Sequence, residues 1–150
     1  MLKKNEFIEN KNKIIEKINS YFENKNEIIA VYLFGSLVRG NFNKRSDIDI
    51  ALMLKDQDEI ESFNYKLSII RELENILDID VDVVIFSQVS LRLQHQILKG
   101  KLIISKNEKE RIKKEKNSNR NFLDMKYFYN IYEKNLGGKF RDGRPRSGKE

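Results

Sequence analysis

Apolar residues recur at near-helical intervals over the first two dozen positions. Phe7/Ile8, Ile14/Ile15, Ile18 and Tyr21/Phe22 interrupt a run otherwise rich in Lys, Glu and Asn. Spacings of three and four place such positions on one side of a 3.6-residue helix, so residues 3–24 are expected to form an amphipathic helix with one buried stripe. The pattern then changes. Residues 28–34, IIAVYLF, are a continuous β-branched and aromatic run closed by Gly35, which reads as a buried strand. IDIALML at 48–54 and IDVDVVIF at 79–86 predict two more strands. Between them, Ile60, Phe63, Leu67, Ile70, Leu73 and Ile76/Leu77 recur at intervals of three and four, which predicts a helix over 57–77. A short helix over 90–99 stops at Gly100, a residue suited to a left-handed C-cap, and LIIS at 102–105 is a candidate edge strand.

Residues 108–136 are helical in composition but weakly patterned as far as Asn121. Phe122, Met125, Phe128/Tyr129 and Tyr132 then form an apolar and aromatic stripe, expected as core or partner contact. The last stretch, GGKFRDGRPRSGKE, has almost nothing to bury and is expected to be disordered. No internal repeat is present. The element order α-β-turn-β-α-β-α predicts an α/β or α+β domain over 1–106, a helical extension over 107–136 and a basic tail over 137–150.

Composition narrows the chemistry. The 150 residues contain no Cys and one His, His95. A disulfide framework, a thiolate zinc site and a cysteine nucleophile are therefore excluded, and a His-dominated metal site or a Ser/His/Asp triad is a poor fit. His95 itself, in RLQHQIL, reads as a helix-surface residue. The N-terminus lacks the apolar stretch of a signal peptide, and no run approaches the roughly 18 apolar residues of a membrane span, so a cytoplasmic protein with no membrane partner is expected. The net charge of +6 is unevenly spread: residues 109–150 carry thirteen Lys/Arg against six Asp/Glu, and residues 1–108 carry sixteen against seventeen. A nearly neutral globular part argues against a nucleic-acid-binding surface, leaving only the basic C-terminal end as a candidate for such contact.

The chemically informative stretch is Gly35-Ser36, ten residues, then Asp47-Ile48-Asp49. Gly after a buried strand permits close backbone approach, exposed N–H groups at a following helix start favour phosphate oxygens, and the Ser36 hydroxyl adds a donor. Asp is disfavoured in strands, yet two stand here beside IALML. Residues two apart in a strand share a face about 6–7 Å apart, where like charges repel by about 2–3 kcal/mol at an effective dielectric of 20. A divalent cation would offset that repulsion, and hard oxygen ligands suit Mg²⁺ bridging to substrate phosphates. The next strand offers Asp80 and Asp82 on one face, and strand parity does not choose between them. Three carboxylates converging beside a phosphate-binding turn would suit two-metal phosphoryl or nucleotidyl transfer. The alternative is an acidic strand end whose carboxylates simply face water.

The pattern Gly35-Ser36-x10-Asp47-x-Asp49 resembles the signature of the DNA polymerase β-like nucleotidyltransferases. The fuller stretch LFGSLVRGNFNKRSDIDIALML is similar to the minimal nucleotidyltransferase branch, which includes MntA-type antitoxins of HEPN/MNT modules, and the likeness runs over about residues 28–105. The resemblance implies a small mixed β-sheet flanked by helices, two Mg²⁺ ions and a nucleoside triphosphate donor, with ATP expected. By position it implies that Gly35 and Ser36 contact the triphosphate, with Arg39 and Ser46 assisting. It also implies that Asp47, Asp49 and Asp82 hold the metals, Asp82 helping to deprotonate the acceptor and Asp80 remaining its competitor. The implied reaction is transfer of AMP to a hydroxyl, expected on a tyrosine of a cognate HEPN toxin, which makes the protein an antitoxin. Two rivals stand beside it: a binding module that masks its partner without chemistry, and a transferase acting on a small-molecule hydroxyl such as that of an antibiotic.

Overall fold

The computed structural model describes residues 4–42, 46–56 and 58–137. In chain order the elements are α1 (Lys4–Phe22), β1 (Ile28–Phe34), α2 (Ser36–Arg39), β2 (Ile48–Leu54), α3 (Glu59–Leu77), β3 (Val81–Ile85), a 3₁₀ turn (Phe86–Gln88), α4 (Leu91–Leu98), β4 (Lys101–Ser105) and α5 (Glu108–Tyr132). A π-helical turn, Glu133–Gly137, follows. The strands form one mixed sheet in the order β3-β2-β1-β4, with β1 antiparallel to both β2 and β4, and β2 parallel to β3. This is the α+β arrangement with a helical extension that the pattern predicts. Two compact units divide between Glu115 and Lys116. The expected basic tail beyond Gly137 lies outside the described residues. Among those residues, no helix is long and apolar enough to cross a membrane.

Strand alternation sorts the core into two faces. Val31, Leu33, Ile48, Ile50, Leu52, Val81 and Val83 pack with Ile14, Ile18 and Phe22 of α1 and with Ile69, Leu73 and Leu77 of α3. The opposite face carries Tyr32, Ala51, Met53 and Phe86 against Ile97 of α4, with Phe34, Val84 and Leu93 alongside. Asp49 and Asp82 have the parity of Ala51 and Val84, so they belong to the α4 side of the sheet. Of the stripe expected on α1, Ile14, Ile18 and Phe22 are buried, whereas the side chains of Phe7 and Ile8 lie outside the described set. The end of α1 is tied to the sheet by Lys106, whose ammonium donates to the carbonyls of Phe22, Glu23 and Lys25. A cation at a helix C-terminus satisfies carbonyls that have no partner within the helix.

One helix meets its sequence expectation and one cap does not. The helix expected over 57–77 is present as α3, and only part of its apolar stripe is buried. Ile60 and Phe63 are 74% and 54% exposed, and Leu67 and Ile76 are also exposed, while Ser62, Ile69, Leu73 and Leu77 face inward. Asp58 starts this helix as its N-cap, accepting from the Glu61 N–H at 2.7 Å. Gly100 is not a left-handed cap. Among the described glycines only Gly35 and Gly40 have positive φ, and the cap of α4 is Lys99 in ordinary helical conformation. Gly100 is required for a different reason: a Cβ there would run into the Leu33 carbonyl oxygen and stand 3.2 Å from the Phe34 Cβ.

Candidate active site

The sheet order brings the end of β1 and the starts of β2, β3 and β4 to one edge of the domain. Phe34 pairs with Asp49, Asp49 pairs with Asp82, and Leu33 pairs with Lys101. Gly35 leaves β1 with φ 78° and ψ −152°, a backbone conformation open essentially to glycine alone, and opens α2 as its N-cap. A Cβ at Gly35 would collide with the Asp49 carboxylate, whose Cγ would stand 3.0 Å away. The carboxylate of Asp49 therefore rests against the bare α-carbon of Gly35, and the sequence pair Gly35…Asp49 is a steric interlock.

Asp49 is half-buried and its pKa lies above the ordinary carboxylate value. Burial is the largest cause, followed by the negative charges of Asp82 and Asp47, while the Arg39 guanidinium pulls the other way. Asp47 and Asp82 are exposed. Among the described residues no group of three His, Cys, Asp or Glu side chains is placed to hold a metal ion by itself. Of the three carboxylates only Asp49 lines the neighbouring cleft. The donor set nevertheless fits a hard divalent cation: all its oxygens are carboxylate oxygens, and their mutual repulsion raises the central one. Mg²⁺ takes one or two carboxylates and keeps its remaining positions for water and substrate oxygens, so it does not require three side chains from the protein.

Beside Asp49 lies a cleft of about 360 Å³. Gly35, Arg39 and Asp49 line it together with Phe34 and Val38, whereas Ser36, Ser46, Asp47 and Asp82 are not among its lining residues. Arg39 is exposed at the end of α2. Ser36, the first residue of α2, is half-buried, and its carbonyl accepts from the Gly40 N–H at 3.0 Å. Ser46 is half-buried just before β2. His95 is half-buried on α4 rather than fully at the surface. The other wall of the cleft comes from Leu93, Gln96, Lys99 and Gly100, none of which sequence reasoning singled out as functional. The only signal was Gly100, whose close approach to β1 was not distinguishable from a helix cap.

Register separates Asp80 from Asp82. Asp82 stands opposite Asp49 and acts on its charge, whereas Asp80 precedes β3 and its carbonyl accepts from the Ile48 N–H at 2.9 Å. If a substrate proton passes to Asp82, Asp82→Asn should lower turnover by roughly 10²–10⁴-fold, the usual worth of a positioned acid–base group. Asp80→Asn should stay within about threefold of the parent, because its backbone contact is untouched. Single-turnover rates of the two variants would decide; equal losses would remove the distinction.

The family model described as polymerase beta, nucleotidyltransferase matches residues 16–109, more than half of the chain, and the chain belongs to that family. No curated protein matches it. Among solved structures it is similar to a chain from a toxin–antitoxin crystal structure with AMP-PNP, at 26% identity and TM-score 0.59, covering 87% of this chain and 97% of that one. At the level of fold it is also similar to a chain of the MntA–HepT toxin–antitoxin, at 24% identity and TM-score 0.53, covering 87% and 95%. A third likeness of fold is to a chain of the tri-AMPylated Shewanella oneidensis HEPN toxin in complex with MNT antitoxin, at 24% identity and TM-score 0.53, covering 89% and 97%.

Proposed function

We propose that this nucleotidyltransferase transfers AMP from ATP to a tyrosine hydroxyl of a cognate HEPN-domain toxin and acts as that toxin's antitoxin. The observation that carries the reading is the interlock of Gly35 with Asp49 beside Asp82, which keeps an acidic site intact at the mouth of a nucleotide-sized cleft. The likeness to toxin–antitoxin structures, one with AMP-PNP and one with an AMPylated toxin, supports the choice of nucleotide and acceptor. In this reading Asp47, Asp49 and Asp82 hold Mg²⁺, which when bound supplies charge neutralisation at the reacting phosphate. Gly35 and Ser36 admit the triphosphate, and Arg39 and Ser46 orient it. The acceptor oxygen forms a bond to the α-phosphorus, the bond to pyrophosphate breaks, and the acceptor's proton passes to Asp82. A cytoplasmic location belongs to the same proposal.

A macromolecular acceptor also suits the exposed apolar side chains. Leu123, Tyr127, Phe128, Ile131 and Tyr132 are all exposed on the later turns of α5. Ile60 and Phe63 form a separate exposed group on α3. Large apolar side chains left exposed in groups mark surfaces that meet another protein. Covalent silencing and masking differ in what persists. After incubation with ATP and Mg²⁺ and then complete removal of this protein, the toxin should remain inactive and carry added AMP by intact-mass spectrometry. A toxin that regains activity and shows no added mass would replace this reading with simple masking.

A further inference from the structure

The α4 wall of the cleft is built as firmly as the acidic wall. Ser90 caps α4, accepting from the Leu93 N–H at 3.2 Å, and the Gln94 amide donates to the Phe86 carbonyl at 2.8 Å. Ile97 is fully buried under the sheet. At the helix end the Gly100 backbone approaches the Leu33 carbonyl so closely that no Cβ fits between them. That approach sets Lys99, the preceding residue, beside the same strand end from which Gly35 departs. Two glycines thus define the cleft, Gly35 seating Asp49 on one side and Gly100 seating Lys99 on the other.

The charges in this cleft are unequal in their commitments. Arg39 already acts on Asp49. Among the described residues, neither the Lys99 ammonium nor the Gln96 amide makes an ion pair or a side-chain hydrogen bond. Lys99 is exposed at the mouth, one helical turn after Gln96 on the cleft-lining side of α4. A nucleoside triphosphate brings several negative charges that carboxylates repel, and a lysine is a compact cation suited to phosphate oxygens.

We propose that Lys99, with Gln96 beside it, binds the β- and γ-phosphates of the nucleotide, so that α4 sets the preference for a triphosphate over a monophosphate. The inference rests on the nucleotidyl-transfer reading and deepens it by assigning the leaving pyrophosphate to a specific side of the cleft. Leu93, Phe34 and Val38 provide the apolar remainder of the same walls.

Calorimetric titration of the full chain with AMP-PNP and with AMP, each in Mg²⁺, tests it. Lys99→Gln should weaken AMP-PNP about tenfold, the equivalent of about 1.4 kcal/mol, while AMP affinity stays within about twofold. Lys99→Arg should recover most of the loss. Lys101→Gln, an exposed lysine two residues on that does not line the cleft, should change neither titration. Unchanged AMP-PNP binding in Lys99→Gln, or an equal loss for both nucleotides, overturns the inference while leaving the transferase reading in place. A parent protein that binds no AMP-PNP overturns both.

Discussion

Asparagine at both Asp47 and Asp49 is expected to abolish nucleotidyl transfer and, in the same protein, to raise thermal stability when metal is chelated. The first effect follows from the donor set: neutral amides are weak ligands for Mg²⁺, and a loss of at least about 10³-fold in turnover is expected when the metal is poorly held. The second follows from the environment of Asp49. Its pKa is raised by burial and by Asp82 and Asp47, so the ionised carboxylate is less comfortable folded than unfolded. Cross-strand neighbours about 5 Å apart repel by about 3 kcal/mol at an effective dielectric of 20, which exposure of Asp82 reduces to on the order of 1 kcal/mol. Removing it should raise the melting temperature by roughly 3–5 °C. The sign with pH is fixed. A carboxyl whose folded pKa exceeds its unfolded value favours folding below the unfolded value and loses that contribution as pH rises through the folded one. The advantage of the Asn variant should therefore grow from acid pH upward and level off once Asp49 is fully ionised. Adding Mg²⁺ and AMP-PNP should raise the parent's melting temperature and leave the variant's nearly unchanged. Retained transfer by a folded variant would remove Asp47 and Asp49 from the metal site.

What the sequence reveals and what it withholds have separate physical causes. The two central strands, β1 and β2, are legible because a strand covered on both faces must be apolar throughout, and IIAVYLF and IALML are. Gly35 and Asp49 are legible as a pair because each is unusual for its place, a glycine at a strand end and a carboxylate inside an apolar run. Register is not legible. Asp80 and Asp82 have the same parity, and only the pairing of Ile48 with Val81 sets Asp82 opposite Asp49. The burial side of α3 is hidden for a related reason. Its apolar arc is wide enough to hold both Ile60/Phe63/Leu67 and Ile69/Leu73/Leu77, and periodicity cannot say which part the sheet will cover. The α4 wall was invisible because Lys99 and Gln96 are unremarkable on a helix surface until Gly100 draws them to the end of β1.

Gly35→Ala is expected to be the most damaging single substitution in the cleft, and Gly40→Ala is its control. Both glycines have positive φ, 78° and 89°, so an alanine is strained at either. At Gly40 the strain is all there is. Its ψ of 8° belongs to the left-handed helical region, and an added methyl would meet nothing within 4 Å. About 1–2 kcal/mol of stability should be lost there, with transfer intact. Gly35 differs twice. Its ψ of −152° belongs to a region that side chains essentially do not enter, at a cost of about 1–3 kcal/mol. Its methyl would also occupy the space of the Asp49 carboxylate. Asp49 cannot yield towards β3, because Asp82 already stands opposite it there. The carboxylate must turn outwards, and a metal–oxygen distance of about 2.1 Å tolerates no such displacement. Transfer should therefore fall by roughly 10³-fold or more in Gly35→Ala, the scale expected when a metal ligand is displaced. A second variant, Gly35→Ala with Asp49→Ala, separates folding from chemistry: deleting the opposing carboxylate should restore part of the lost stability and none of the activity. The readouts are thermal melts in chelator and label transfer from ATP. Wild-type-like transfer by Gly35→Ala, or no recovery of stability in the double variant, would mean that the glycine serves the turn alone and not the seat of Asp49.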